Sequence, residues 1–496
     1  MLYKSTRNSK KEVSAAKAIV KGISDDGGLF VPCSLPKISL DDLNMLKDKN
    51  YIERAVFILS KFLTDFTEQE IIDCVKGAYS NIKFSSKDIA KVLKLDEQIY
   101  MLELWHGPTC AFKDMALQLL PHLMKVSMKK QADGKQIAIL VATSGDTGKA
   151  ALEGFKNVEG TNIIVFYPQD GVSLMQKLQM VTQLGDNVDV CAIKGNFDDA
   201  QNGVKAIFTD SVIIDELFKN NVLFSSANSI NWGRLVPQIV YYFSAYCDIL
   251  KKFDITLGEE VNVVVPTGNF GNILSAYYGK KMGLPIKTFI CASNKNNILT
   301  DFINTGIYDK NRSFYQTISP SMDILISSNL ERLLYDIYDS DEAIKKLYSD
   351  LAKYGKFTID DNVKFKIKSQ FYGGFCDDGQ TKKTICHIFK KYKYLCDTHT
   401  AVAVSVYNDY KKETGDETKT IIASTASPYK FTKDVLSSIS GKTDCDDFAQ
   451  LDELSKMTDT TAPKQLLNLK DAKIRFKNAI DKDDMKNYVL QKFTSK

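Results

Sequence analysis

Hydrophobic and polar positions change rhythm three times along this chain. Residues 11–22 read as a short helix ended by Gly22, and DDGGLFVP at 25–32 as a turn into an extended segment, because paired glycines break helices and Pro32 restricts its predecessor. Residues 39–92 are mostly helical in period, with apolar positions recurring through YIERAVFILSKFL. From 99 onward, short apolar runs alternate with helical ones. IYMLELW (99–105), KQIAILVAT (135–143), NIIVFYP (162–168) and DVCAIKG (189–195) read as strands. Residues 114–130, 149–155, 172–183 and about 198–208 read as helices. A second series follows: a loop and long helix at 224–249, a strand and glycine loop at 261–272, a helix at 273–283 and a strand at 286–293. Residues 328–390 are lysine-rich and mixed, 418–431 give one more strand with its exit loop, and 447–496 are helical and charged.

Strands alternating with helices predict an α/β fold with parallel sheets covered on both faces. The rhythm divides the chain into a largely helical N-terminal domain at 1–95, a first α/β region at 96–225, a larger α/β domain at 226–445 with an insertion near 300–390, and a helical tail at 446–496. A length of 496 residues agrees, since it exceeds what one hydrophobic core usually serves.

Composition adds mainly exclusions. A net charge of +4, from 65 basic and 61 acidic residues, gives no case for nucleic acid. No apolar run approaches the roughly 18 residues of a membrane span, and the N-terminus is too weakly apolar for a signal peptide. The ten cysteines form no CxxC pair and the four histidines show no ligand spacing, so no metal site is expected. A reduced, cytoplasmic setting fits.

The chemistry concentrates at strand ends. In open α/β sheets, ligands bind beyond the carboxyl ends of strands, where SGDTG (144–148), TGNFGN (267–272) and STAS (424–427) all fall. WHGPTCAFKDMALQLL (105–120) sets Lys113 beside Asp114 at the start of an apolar helical run. An amine among Phe112, Met115 and Ala116 is desolvated enough to bond a cofactor aldehyde; alone, it would read as a surface lysine. Gly268, Asn269, Phe270, Gly271 and Asn272 leave a buried strand and enter a helix, so their N–H groups can cradle a phosphate dianion. Together these suggest pyridoxal phosphate. No GxxxxGK[ST] is present, and no acidic ribose partner accompanies the loop for a nicotinamide cofactor.

Ser144, Gly145, Asp146 and Thr147, with Gly148, suit a substrate carboxylate. Asp146 is an odd partner for an anion, and orienting the backbone, meeting the cofactor's phenolic oxygen or capping a helix are alternatives. Asn228, Ser229, Asn231 and Arg234 suit a second phosphate; the alternative is helix capping with Arg234 facing solvent. Thr425 suits the pyridine nitrogen, or is an ordinary loop threonine. His399 reads as a local hydrogen-bonding residue rather than a catalytic base.

YKSTR (3–7), GISDDGGLFVP (22–32), WHGPTCAFKD (105–114), ATSGDTG (142–148), SANSINWGR (226–234), PTGNFGN (266–272), DTHTAVA (397–403) and TASPYKF (425–431) together resemble threonine synthase, in the longer variety of fungi and many bacteria. The resemblance covers essentially the whole chain and leaves no room for a cleaved transit segment. It implies fold type II of the pyridoxal-phosphate enzymes, with two open parallel-sheet domains and a small helical N-terminal domain. It implies Lys113 as the Schiff-base lysine, 268–272 as the phosphate cradle and Thr425 opposite the ring nitrogen. The SGDTG loop would meet the substrate carboxylate, and Ser229, Asn231 and Arg234 the substrate phosphate. Two departures are visible: the family often has histidine at Ser427 and proline at Thr398. The implied reaction converts O-phospho-L-homoserine and water to L-threonine and phosphate, in a monomer, with a dimer as the alternative. A phospho-lyase releasing phosphate, 2-oxobutyrate and ammonia, or a binding protein with a dead pocket, are the rival readings.

Overall fold

The computed structural model describes residues 1–494 apart from 133, 144, 171, 254 and 442–445. Two parallel sheets carry it. The larger has six strands in the order Phe371–Phe375, Ile286–Ser293, Val261–Pro266, Thr420–Ser424, Ile99–Glu103 and Lys91–Lys94. All neighbours run parallel except the last pair. The smaller has five parallel strands in the order Ala479–Asp481, Val188–Lys194, Thr161–Pro168, Gln136–Ala142 and Val222–Ser225. Central strands such as VNVVVP at 261–266 are buried at every position, the pattern expected when helices cover both faces. The N-terminal unit combines helices with a three-stranded antiparallel sheet of Asn8–Val13, Tyr3–Ser5 and Phe30–Pro32. The 21-residue helix Trp232–Lys252, buried from Trp232 to Ile249, runs through the middle of the molecule.

Several expectations change. The helix expected over 11–22 is a strand, Asn8–Val13, followed by Ala15–Lys21 capped by Ser14. The helix expected over 114–130 is two, Lys113–Leu117 and Leu120–Gln131. Pro121 explains the break, since it cannot donate to Leu117 and would crowd that carbonyl. Sheet membership departs from the linear division. Ile99–Glu103 belongs to the larger sheet and pairs antiparallel with Lys91–Lys94, so a cut at 95/96 falls inside one hairpin. Phe371–Phe375, within the expected insertion, forms that sheet's far edge. The tail is not purely helical: Ala479–Asp481 extends the smaller sheet. Val222–Ser225, whose last two residues were expected to begin a loop, closes its other edge. These edge segments are too short to show a period.

Candidate active site

Lys113 is placed by an exchange of backbone bonds between two distant loops. Phe112 N–H donates to Thr425 O at 2.8 Å and Ser427 N–H to Cys110 O at 3.0 Å, around a bridge joining Ala111 and Ala426. Below it, Asp114 accepts from Thr109 N–H at 2.8 Å and Thr109 Oγ1 at 2.7 Å, which closes the HGPT turn. The buried Lys113 Nζ donates to Ser321 Oγ at 3.0 Å and lies 3.5 Å from Asp146 Oδ2. Burial lowers its proton affinity; Asp146 opposes this, while Lys430 and Arg234 reinforce it. The amine is therefore biased toward its neutral, nucleophilic form.

Asp146 opens helix Asp146–Phe155, and Gly145, not Asp146, is its N-cap. Gly145 has φ +142°, and a Cβ there would lie 2.4 Å from Gln176; only glycine fits. Gln176 Nε2 donates to Asp146 Oδ1 at 3.1 Å, and Lys430 Nζ lies 2.8 Å from the same oxygen. Burial alone would raise the Asp146 pKa. Lys430 and Lys113 overcome it and hold the carboxyl well below the usual range. The half-buried Thr147 side chain has no partner among the described residues, and Ser144 lies outside them.

The loop at 268–272 is held from outside. Gly268 O accepts from Ser327 Oγ at 2.7 Å, and Asn269 O accepts from both the backbone and the Nδ2 of Asn329, at 3.1 and 3.0 Å. Phe270 sits at φ +62°, unusual for a bulky residue, before helix Gly271–Met282. Among the described residues, no hydrogen bond uses the N–H groups of residues 268–273. A row of unused donors at a helix N-terminus fits a phosphate. Asn272 differs from its neighbours, because its Oδ1 already accepts from Tyr241 and Tyr242.

A turn not anticipated from the sequence joins cradle and lysine. Ser321, in the 3-10 turn Pro320–Met322, accepts from Lys113, and its carbonyl oxygen lies 2.7 Å from where a Cβ on Gly268 would be. His399 Nε2 accepts from Ser321 N–H at 3.1 Å while Nδ1 lies 2.7 Å from Asp397 Oδ2. His399 thus fixes the turn, as a hydrogen-bonding residue would.

The remaining expected residues divide. Asn228 and Ser229 are half-buried, with side chains unpartnered among the described residues. Asn231 is fully occupied: Oδ1 caps the long helix at Gly233 N, and Nδ2 donates to Ile19 O and Ser226 O. Arg234 does not face solvent. It is buried, its Nη1 donates to Ala227 O at 2.7 Å, and its Nε has no partner among the described residues. Thr425 is buried, with its hydroxyl unpartnered among the described residues. Ser427 caps the turn at Tyr429. Thr398 is the first residue of helix Thr398–Thr414, where proline is favoured, and its hydroxyl is buried and unpaired among the described residues. Sequence reasoning missed Ser321, Gln176 and Lys430. Lys430 alone had a signal, as a lysine beside Thr425 in a strand-exit motif.

The geometry offers a buried lysine of lowered proton affinity, a row of unused N–H groups and a buried cation, Arg234, whose Nε is unpartnered among the described residues. Residues 2–79 match the model for the threonine synthase N terminus, 84–358 that for pyridoxal-phosphate dependent enzymes, and 400–489 that for the threonine synthase C-terminal region. The chain is 39% identical over 447 residues to threonine synthase-like 1 of Macaca fascicularis, a match covering 87% of this chain and only 59% of that relative's length. It is 34% identical over 514 residues to threonine synthase of Saccharomyces cerevisiae, covering 97% and 98% of the two chains. The crystal structure of pyridoxal-phosphate-bound threonine synthase from Brucella melitensis superposes with a TM-score of 0.87 at 34% identity, over 99% of this chain and 98% of that one.

Proposed function

Because the chain belongs to the threonine synthase family of pyridoxal-phosphate-dependent enzymes, we propose that it converts O-phospho-L-homoserine and water to L-threonine and phosphate. The observation that carries the reading is Lys113, buried and biased toward neutrality, joined through Ser321 to the unused N–H row of 268–273. Those residues fit pyridoxal phosphate: the amine for its aldehyde, the N–H row for its phosphate and Thr425 for its ring nitrogen. When bound, that cofactor withdraws electrons from the carbon bearing the substrate's amino group.

The chain's own groups do the rest. Lys113 holds and returns the protons that leave the substrate carbons, its Nζ aimed by Ser321 and Asp146. The N–H groups of Asp146 and Thr147 start a helix and suit the substrate carboxylate. Arg234, Asn228 and Ser229 suit its phosphate; Arg234 has an unused Nε, and a charged donor there strengthens as water is excluded. Asn231 supports this group from behind. A single chain supplies every one of these residues, so a monomer is the proposed working unit. The nine described cysteines are all unpaired, in keeping with a cytoplasmic setting, and no helix among the described residues is long and apolar enough to cross a membrane.

The relative at 39% identity is named synthase-like, which keeps a second reading in play: phosphate release with 2-oxobutyrate and ammonia from the same residues. Cofactor-loaded protein given O-phospho-L-homoserine decides between them. Phosphate matched by threonine is expected, with both lost in K113A. Phosphate matched by 2-oxobutyrate would establish the second reading, and no phosphate would overturn both.

A further inference from the structure

A second lysine lies beside the first, and the proposed reaction gives it no role. Lys430 is buried, donates to Thr109 O at 2.9 Å and lies 2.8 Å from Asp146 Oδ1. Lys113 lies farther from the same carboxylate, 3.5 Å from Oδ2, and its short contact goes instead to the neutral Ser321 hydroxyl. The carboxylate therefore has two cations to serve and sits closer to Lys430. We propose that Lys430 is a positioning residue of this site: by drawing the Asp146 carboxylate to itself, it leaves the Lys113 amine with a counter-ion whose charge is already shared, and so able to stand unprotonated where it must bond an aldehyde.

The surroundings of Lys113 agree. Asp146 faces it from helix Asp146–Phe155, Lys430 from the turn Pro428–Phe431, Arg234 from the long helix and Ser321 from the turn Pro320–Met322. His399 reaches that last turn only through the Ser321 backbone. Asp114, its chain neighbour, is engaged by Thr109, and the Phe112 ring lies 5.2 Å from Nζ. Asp146 is thus the anion that contacts Lys113. Alone at this distance, it would hold a proton on the amine. Paired with Lys430, it supplies geometry while its charge is largely cancelled.

The inference rests on Lys113 being the cofactor-bonding amine, and its test needs neither substrate nor cofactor. Full-length protein stripped of cofactor is acetylated competitively with acetic anhydride across a pH series, and the Lys113 peptide is quantified by mass spectrometry. K430M is expected to move the Lys113 titration midpoint upward by roughly one to three pH units, and K430R to bring it back toward the wild-type value. A midpoint that stays or falls in K430M overturns the proposal. So does a K430R midpoint as high as that of K430M, which would mean packing rather than charge. Should K430M alone fail to fold, K430Q, whose amide can still donate to Thr109 O, is titrated in its place. Its midpoint must likewise rise, and an unchanged or lower midpoint overturns the proposal. A failed product assay would not alter this reading of the amine, nor the reverse.

Discussion

Arg332 ties the cradle to the rest of the molecule, and its replacement by methionine has a cost that can be worked from the structure. The guanidinium is fully buried. It donates through Nε to Phe30 O at 3.0 Å, through Nη2 to Ile230 O at 2.6 Å and through Nη1 to Asn329 Oδ1. It also lies over the Trp232 ring at 6.0 Å. One side chain thereby joins the N-terminal sheet, the SANSINWGR segment and, through Asn329, the carbonyl of Asn269. In R332M the three acceptors are left unpaired, at about 1–3 kcal/mol each. Burial pushes this arginine down to about 10 from its ordinary 12.5, so removing the charge returns roughly 3 kcal/mol. The balance is a loss of about 3 kcal/mol, at the low edge of what breaking a buried charged contact costs. Urea unfolding should show a lower midpoint at unchanged slope. Cofactor affinity should weaken by about tenfold, the equivalent of about 1.4 kcal/mol, because Asn329 loses the contact that orients its amide. An unchanged urea midpoint would refute the cost. Lost stability with unaltered cofactor affinity would refute the link to the cradle.

Three further outcomes follow from particular contacts. G268A should slow phosphate release on the order of tenfold or more, because its Cβ would lie 2.7 Å from the Ser321 carbonyl in a turn clamped by His399 and Lys113; a wild-type rate would show that the turn yields freely. Burial raises the Asp114 carboxyl from 3.8 to about 6 against the two bonds from Thr109. The folded protein keeps this proton where the unfolded chain has lost it, so the group's contribution to stability falls as pH rises from about 4 to 6, by up to about 3 kcal/mol. Urea midpoints across that range should lose this component in D114N, and parallel curves for the two proteins would contradict it. T398P should stabilise by about 0.5–1 kcal/mol in thermal unfolding: the position opens a helix, Asp397 before it is extended, and the hydroxyl removed is buried without a partner. A fall in melting temperature would mean that the hydroxyl has a partner after all.

Local sequence determined much of this protein. Alternating apolar runs specify buried parallel strands, because a strand covered on both faces must be apolar at nearly every position. In a parallel sheet, strand-exit loops share one edge, so TGNFGN and STAS were bound to lie together at the end of the larger sheet, whereas SGDTG leaves the smaller sheet and joins them only through the packing of the two. Gly145 and the N–H row of 268–273 are likewise local, since backbone geometry next to a helix start supplies them. Tertiary structure decided what depends on partners. The proton affinity of Lys113 is lowered first by burial and then adjusted by Asp146 and Lys430, and its amine is aimed by Ser321; those side chains come from separate elements, and no periodicity records which carboxylate will meet which amine. Asn231 and Arg234 look equivalent as polar residues of one motif, yet packing against Ile19 and Ser226 occupies the first and leaves the second an unused donor. Short edge strands such as Val222–Ser225 and Ala479–Asp481 exist because a neighbouring strand offers them bonds. Burial pattern belongs to a segment and can be read from it, whereas a hydrogen bond or an ion pair belongs to two segments, and only folding chooses the second.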